Sequence, residues 1–504
     1  MKIYDTSALR PDTVMSKNDG LWIYNGLDCM LTYEVLNEVS TVMDAVTDRT
    51  YQLSRALQAP ILAMNMRGVL IDVAARDEAI HSLEADKAQI LNNFDYICNS
   101  VFGRTFSPGS PKQMLALFYD YMNLPPEKGR NAQGEWVPAV GREELENLAK
   151  KYYHAKPLVG HILRYRDITK QIGTLVTELS PSGRLHTSFS IAGTKTGRLA
   201  SSAADFGDGT NLQNIDKRIR KTFIADPGMK FANIDLEQAD ARNLGAFTWH
   251  FFPEFGDTNR FLDYAESGDL HTNVCRMCWT ELPWTGDPKK DREIADQKAY
   301  REKSFRDLAK ALGHGTNFNG QPPQMAMHTK VERSLIEDFQ RRYFGAFPEV
   351  KHRIEFLSRK LQEDGNLTTL FGRRRFFLKR RTDKRALNDA CAFDPQSMTA
   401  DEINYIMLAI FDLSLKYPIQ LLLQVHDSLL IQYPEELEDE FVPLLKKAFE
   451  VPLILRGNRR FIVPAEVQVG WNWAGVEYDK VTKQPSKNLL GLIKYKGHDS
   501  RIRA

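Results

Sequence analysis

The chain has 504 residues, a length that at roughly 150 residues per domain gives about three lobes. Lys plus Arg number 67 against 65 Asp plus Glu, a formal net charge of +2, so a polyanion site must come from local clustering and not from bulk positive charge. Hydrophobic residues at 42% and charged residues at 26% are those of an ordinary globular protein. Five scattered cysteines exclude a disulfide framework and point to a reducing cytoplasm. No apolar run approaches the roughly 18 residues of a membrane span, and the N-terminus has no apolar signal core.

In chain order, residues 22–48 have Leu27, Met30, Leu31, Leu36 and Val39 at helical spacing. A long helical stretch over 51–99 is interrupted at 66–72, where Gly68 and β-branched residues predict a short extended piece. Ser110-Pro111 opens a helix in the favoured capping order. A polar loop is expected over 125–138, and helices resume through Lys170. From Ile191 the texture changes to short strands, loops and helices. Strands are expected over 231–236, 419–426 and 428–433, and helices over 238–248, 302–312 and 434–450. Cys275 and Cys278 form a C-x-x-C with no second pair at zinc spacing, so no metal or redox role is expected there. Two runs are basic: six Lys/Arg between Lys150 and Lys170 face only Asp167, and eight between Gly372 and Arg385 face only Asp383. Interleaved with Phe371, Phe376 and Phe377, the second run suggests backbone-phosphate binding.

Three segments carry chemistry. Around His426-Asp427-Ser428, two apolar runs flank a polar tip, the pattern of a tight hairpin presenting a carboxylate. At 231–242 a strand ends on Asp235 and a helix follows at once. Two carboxylates brought together from separate strands resist joint desolvation unless a cation lies between them, and hard oxygen donors favour magnesium over zinc. In the third segment Arg306, Lys310, His314 and Phe318 recur every four residues, so one helical face presents cationic or polar groups and then an aromatic. That face suits a triphosphate with a base stacked at its end. Gly313 and Gly315 in this helix suggest local distortion or a moving element.

Together these segments resemble family A DNA polymerases, the group of bacterial polymerase I and bacteriophage replicases. Asp235 to Arg242 is similar to that family's motif A, Arg306 to Gly320 to motif B, and His426-Asp427 to motif C. Thr196-Gly-Arg-Leu, Asn211-Leu-Gln-Asn, Asp269-Leu-His271, Pro395-Gln-Ser, Ser110-Pro-Lys-Gln and the late Gly470-Trp-Asn-Trp resemble further family segments, in the family's order, over about residues 53–478. The resemblance implies an α+β right-hand fold with an antiparallel palm sheet, helical fingers and a helical thumb. It divides the chain into an exonuclease remnant (1–48), an entry to the palm (49–75), thumb (76–180), palm with motif A (181–260), fingers (261–345), and palm with motif C and the C-terminus (346–504).

The resemblance further implies template-directed addition of dNTPs to a primer 3′ end, with primer–template DNA as partner. Two Mg²⁺ ions would be held by Asp235, Asp427 and the Leu236 carbonyl. Arg306, Lys310 and His271 would neutralise the triphosphate, with Lys310 the proton donor to pyrophosphate. His314, Phe318, Asp240 and Gln238 would complete the nucleotide site. Arg198, Asn211, Gln213, Arg242, Gln396, Gln424 and His426 would contact DNA, some of them reading the minor-groove acceptors common to all correct pairs.

Three departures stand out. Asp240 occupies the place of the family's glutamate that excludes the ribose 2′-hydroxyl, so weaker ribonucleotide exclusion is expected. His314 replaces an aromatic that influences dideoxynucleotide acceptance, and a histidine titrating near pH 6.5 would modulate nucleotide binding. Ser428 stands where motif C usually has a second acid, with Glu237 offering partial compensation. Tyr24-Asn-Gly-Leu-Asp28 fits the last motif of the family's 3′–5′ exonuclease, yet no D-x-E precedes it. The expectation is a polymerase without its own proofreading, served by a separate exonuclease polypeptide or processivity factor, in the cytoplasm of a phage-infected bacterium and without a membrane partner. A single-subunit RNA polymerase-like enzyme and a non-catalytic primer–template binding protein are the alternatives.

Overall fold

The structure, a computed structural model, describes residues 17–131, 133–203, 209–378, 383–479 and 484–501. Its centre is a five-stranded antiparallel sheet in the order Gln420–Val425, Ser428–Pro434, Met229–Leu236, Ala465–Gly470, Ile493–Lys494. The hairpin residues Leu421, Leu422 and Leu423 are all buried, as are Phe231, Ala232 and Ile234 beside them. Such apolar runs without alternation mark strands covered on both faces. Part of the cover is the 31-residue helix Lys384–Ser414, whose Met398, Ile403, Met407 and Ile410 share the core with the sheet, and part is Glu438–Ala448 through Phe441, Val442 and Leu445. Together with the helical modules this is an α+β architecture.

Helices outside the sheet build their own cores. The 30-residue helix Val73–Phe102 starts on Asp72, which caps Ala75 N–H, and ends on Gly103 in the left-handed conformation at φ 65°. Its Leu83, Ile90, Phe94 and Cys98 lie on one buried stripe. Phe94 and Cys98 pack with Phe118, Leu145, Leu148 and Ile162, from the segment that returns along the helix Lys156–Leu175. In a separate cluster, Leu270–Cys278, Phe305–Asn317 and Arg333–Ala346 enclose a core of Val274, Leu308, Leu312, Ile336, Phe339 and Tyr343. No helix among the described residues is long and apolar enough to cross a membrane.

The expected strands and helices form with boundary shifts of a few residues, and the extended piece near Gly68 is the strand Val69–Ile71. Four expectations need correction. The helix over 22–48 is two helices, Lys17–Val42 and Ala45–Ala56, because Asp44 and Thr47 close a reciprocal capping box that starts the second. Its apolar positions Met30, Leu36 and Val39 face solvent and build no core. The loop over 125–138 contains the hairpin Lys128–Arg130 and Trp136–Pro138. Gly313 and Gly315 do not distort their helix, which runs unbroken over Phe305–Asn317. They admit neighbours: a Cβ on Gly315 would meet Met325 Cε at 2.7 Å, and one on Gly313 would touch Tyr343 at 3.7 Å.

Candidate active site

Asp235 lies at the end of the central strand Met229–Leu236, directly across from Ser428 on one neighbour and Glu466 on the other. Asp427 precedes Ser428 at the hairpin tip, and its carbonyl accepts from the Leu236 amide at 3.1 Å. The two aspartates are thereby tied together by main chain. Each is followed or preceded by a non-glycine residue at positive φ, Gln238 at 55° and His426 at 57°. Those left-handed turns are uncommon for such residues and are held by the strands around them. Crowding by surrounding protein, and next the charge of Asp427, raise the Asp235 carboxyl above the usual range; crowding raises Asp427 likewise. The pair is poised to gain from a cation.

Facing the pair across an open trough of about 1120 Å³ are Arg306, Lys310 and His314 on one helix and His271 on another. The helix is anchored by a capping box, in which Ser304 and Asp307 satisfy each other's amides at 3.1 Å. Arg306 makes a bidentate pair with Asp269, Nε to Oδ2 at 2.7 Å and Nη2 to Oδ1 at 3.0 Å. Burial alone would raise Asp269, but Arg306 holds its carboxyl down at about 2. Burial, reinforced by Arg306, depresses His271 to about 4, so its imidazole is neutral at physiological pH. Lys310 has no acidic partner among the described residues. His314 is also depressed by crowding, against the pull of Asp240. Its titration therefore lies below the value near 6.5 expected from its sequence.

Asp240 lines the same trough, as the second residue of the helix Ala239–Phe251. Its Oδ1 accepts from Thr399 Oγ1 at 2.9 Å and from Arg198 Nη2 at 3.4 Å. Phe318 stands beside this point in a small side pocket shared with Asp240, His271 and His314, its ring edge-on to His314 at 4.4 Å.

The residues expected at DNA divide into groups. Gln213 Nε2 donates to Gln424 Oε1 at 2.7 Å, and Gln424 Nε2 donates to the His426 carbonyl, a chain leading to the hairpin tip. Asn211 orders its own loop, accepting from Gln213 N at 3.1 Å and donating to Ser201 O at 2.6 Å. Gln396 is half-exposed on the long helix, beside Ser397, which holds Thr196 O at 2.8 Å. Arg242 is not with them. It is buried, its Nε on the Glu237 carbonyl at 2.9 Å, and lines a different cavity with Glu266 and Lys446.

The basic run after Gly372 is less available to phosphate than its sequence suggests, because Arg373 pairs with Asp401, Arg374 with Asp44 and Arg375 with Asp389. Lys379, Arg380 and Arg381 lie outside the described residues. In the earlier run, Arg166 is committed to the carbonyls of Pro108 and Val140 at 2.9 and 2.7 Å, while Lys156, His161 and Arg164 line a groove against Asp86 and Tyr153. Cys275 and Cys278 are core residues, and burial pushes the Cys278 thiol up to about 12. Tyr24 and Asp28 sit on the solvent-facing helix Lys17–Val42.

Sequence reasoning missed Glu466, Arg292 and Thr399. Glu466 and Gln468 share the trough face of one strand, and their spacing of two was a signal that a strand reading of 465–470 could have used.

Comparison with known proteins agrees with this geometry. The sequence profile described as DNA polymerase family A matches residues 77–475. The thermostable DNA polymerase I of Thermus thermophilus is 27% identical over 488 residues, covering 93% of this chain and 53% of the relative. That of Thermus aquaticus is 28% identical over 435 residues, covering 83% and 47%. The chain thus spans about half the length of the curated relatives it matches. Among solved structures, the POL domain of Pol1 from M. smegmatis, in complex with DNA primer-template and dNTP, superposes with a TM-score of 0.64 at 23% identity, covering 83% of this chain and 69% of that one. The fold is therefore that of a polymerase right hand. With the family profile matching well over half of its length, the chain belongs to DNA polymerase family A.

Proposed function

We propose that this chain is a template-directed DNA polymerase that adds deoxynucleotides to a primer 3′ end. The observation that carries the reading is the trough itself: two crowded carboxyls, both raised, on one side, and Arg306, His271 and Lys310, which has no acidic partner among the described residues, on the other. In this reading residues 76–180 act as the thumb, 261–345 as the fingers, and the sheet with its flanking segments as the palm.

The donor set fits hard divalent cations. The charge of Asp427 raises Asp235, and both carboxylates offer oxygen donors beside the Leu236 main chain, a set that would suit Mg²⁺ over softer metals. Two such ions, when bound, supply an activated 3′-hydroxyl and charge neutralisation for the departing pyrophosphate. The chain's own groups do the rest. Arg306 and Lys310 hold the triphosphate, and Lys310 delivers a proton to the leaving pyrophosphate. His271, neutral, donates a hydrogen bond to phosphate oxygen. Phe318 supports the nascent pair, and Asp240 crowds the sugar 2′ position. Arg198, Gln396, Gln424 and His426 read the minor groove, where acceptors common to all correct pairs let shape be checked without sequence.

A bacteriophage replicative role is part of the same proposal. The helix Lys17–Val42 presents Leu21, Trp22, Tyr24, Met30, Tyr33 and Leu36 to solvent, which supports docking of a separate exonuclease polypeptide there. Primer extension tests the central reading. Wild-type protein with Mg²⁺ should add the templated dNTP in preference to the rNTP, and Asp427→Ala should keep duplex binding while losing addition. Wild-type protein that binds primer–template but adds nothing, or adds only rNTPs, sinks it.

A further inference from the structure

The polymerase reading sets Asp240 against the sugar of the incoming nucleotide, and any role for the residues behind it rests on that reading. A carboxylate that excludes a single hydroxyl must have a fixed position, and a half-exposed aspartate on the wall of an open trough does not fix itself. Behind Asp240 lies a buried polar chain that does. Thr399 Oγ1 donates to Asp240 Oδ1 at 2.9 Å. Asn243 Nδ2 donates to Thr399 Oγ1 at 3.1 Å and to Glu402 Oε2 at 3.0 Å. Thr399, Asn243 and Glu402 are 1%, 0% and 2% exposed. They come from two helices, Ala239–Phe251 and Lys384–Ser414, so the chain also fixes the spacing between those helices.

Each member constrains the next. Asn243 spends amide donors on Thr399 and Glu402, which turns the threonine lone pair towards Asn243 and leaves its hydroxyl hydrogen for Asp240. The Pro395 carbonyl at 3.0 Å is the hydroxyl's other acceptor, and the charged carboxylate is the stronger of the two. Burial pushes Glu402 up to about 8, so it keeps its proton at neutral pH, and Asp401 beside it is neutralised by Arg373 at 2.6 Å. The environment behind Asp240 therefore adds no uncompensated negative charge that would drive its carboxylate outwards. The other contacts are poorer anchors. Arg198 reaches the same oxygen only at 3.4 Å, and His314, although it shares the trough, packs its ring on Phe318 and makes no hydrogen bond to Asp240 among the described residues.

We propose that Thr399, oriented by Asn243 and Glu402, is a specificity-determining positioning residue whose hydroxyl fixes the Asp240 carboxylate against the sugar 2′ position, so that exclusion of ribonucleotides depends on it. Without the hydroxyl, Asp240 retains only Arg198 among the described residues, and its carboxylate turns towards the guanidinium and away from the sugar.

Single-nucleotide insertion of matched dNTP and rNTP on one primer–template, by wild type and Thr399→Val, tests this. Valine keeps the shape and removes the hydroxyl. The ratio of dNTP to rNTP kcat/KM should fall about tenfold, a size that a hydrogen bond to a charged group supports, and the fall should come from better rNTP use. Thr399→Ser, which restores the hydroxyl, should restore the ratio. Should the valine variant fail to fold, Thr399→Ala carries the same expectation. A hydroxyl-free variant with the wild-type ratio, equal losses with both nucleotides, or a serine variant as unselective as valine would each overturn the proposal. Wild-type dNTP insertion is measured in the same assay. Failure of the polymerase reading shows there as no insertion at all, whereas failure of this proposal shows as insertion with unaltered sugar selectivity.

Discussion

Arg306 and Asp269 are locked together by two donors, at 2.7 and 3.0 Å, while Lys310, one turn further along the same helix, has no acidic partner among the described residues. The two cations are therefore not equivalent. Arg306 is already charge-compensated and geometrically fixed, which suits binding and orientation of a phosphate. Lys310 has no such partner holding it among the described residues, which suits proton delivery to a leaving group. Arg306→Ala should chiefly raise the dNTP KM. Lys310→Ala should chiefly lower kcat, by about 10²-fold or more, the range of general-acid catalysis. Steady-state insertion kinetics on a fixed primer–template separate them. Equal KM-only effects would remove Lys310 from the chemical step.

The acid pair makes a second expectation that needs no turnover. Asp235 is raised by crowding and by the charge of Asp427. Removing one of two like charges relieves that repulsion, so in chelator Asp427→Asn should melt at a higher temperature than wild type. Added Mg²⁺ or Ca²⁺ should raise the wild-type midpoint, because a ligand of the native state stabilises by mass action. The same addition should leave Asp427→Asn nearly unmoved. A wild type indifferent to divalent ions would argue against a metal at this pair.

How much of this was legible in the sequence depended on whether the signal was local. Asp235, Asp427 and the Arg306–Phe318 face were readable because each lies in a segment whose periodicity dictates its own element, and the sheet register then brings them together. What stayed hidden was the identity of long-range partners. Nothing near Asp240 announces that Thr399, 159 positions away, will anchor it. Nothing in the run after Gly372 shows that Arg374 will be taken by Asp44, 330 positions earlier. The glycines of the Arg306 helix misled for the same reason: a glycine that admits Met325 from another helix looks, in sequence, like one that bends its own. The exposed apolar face of Lys17–Val42 misled in the opposite sense, because helical spacing reports an apolar stripe and not what covers it.

His271 supplies a pH dependence whose sign follows from its surroundings. Burial and Arg306 depress it from 6.5 to about 4, with Asp269 opposing and Lys310 and Arg292 reinforcing. Between those values the unfolded chain holds a proton that the folded chain does not, so this group's contribution to stability is complete above pH 6.5 and is lost as pH falls towards 4. A triphosphate beside it reverses the local field and raises its pKa. Nucleotide binding at about pH 5.5, within that window, should therefore take up protons, detectable by calorimetry in two buffers of different ionisation enthalpy. His271→Gln should reduce that uptake; His314, also depressed, accounts for the remainder. Proton uptake unchanged in the variant would dismiss His271 as a phosphate neighbour.

The last expectation concerns what holds the Arg306 helix against the helix that carries Gln396 and Thr399. Arg353 is fully buried and donates to Asn317 O at 3.3 Å, Cys391 O at 2.9 Å and Asp394 Oδ2 at 3.2 Å, with its guanidinium 5.5 Å from the Phe247 ring. Asn317 is the last residue of the Arg306 helix, and Cys391 and Asp394 belong to the long helix, so one side chain joins both. Burial pushes Asp394 up to about 6 even with Arg353 present, and its Oδ1 has no hydrogen-bond partner among the described residues. Arg353→Met strands that carboxyl in the core, at a cost of about 3–5 kcal/mol. Because the folded pKa lies above the ordinary value of 3.8, Asp394 contributes stability at low pH that is lost as pH rises through about 6. The deficit of Arg353→Met should accordingly be larger at about pH 8 than at pH 5, either side of that titration. The double variant Arg353→Met with Asp394→Leu, which leaves no charge behind, should recover much of it. Chemical denaturation at the two pH values measures both effects, and a deficit independent of pH would mean that lost packing, and not a stranded acid, is what the arginine prevents.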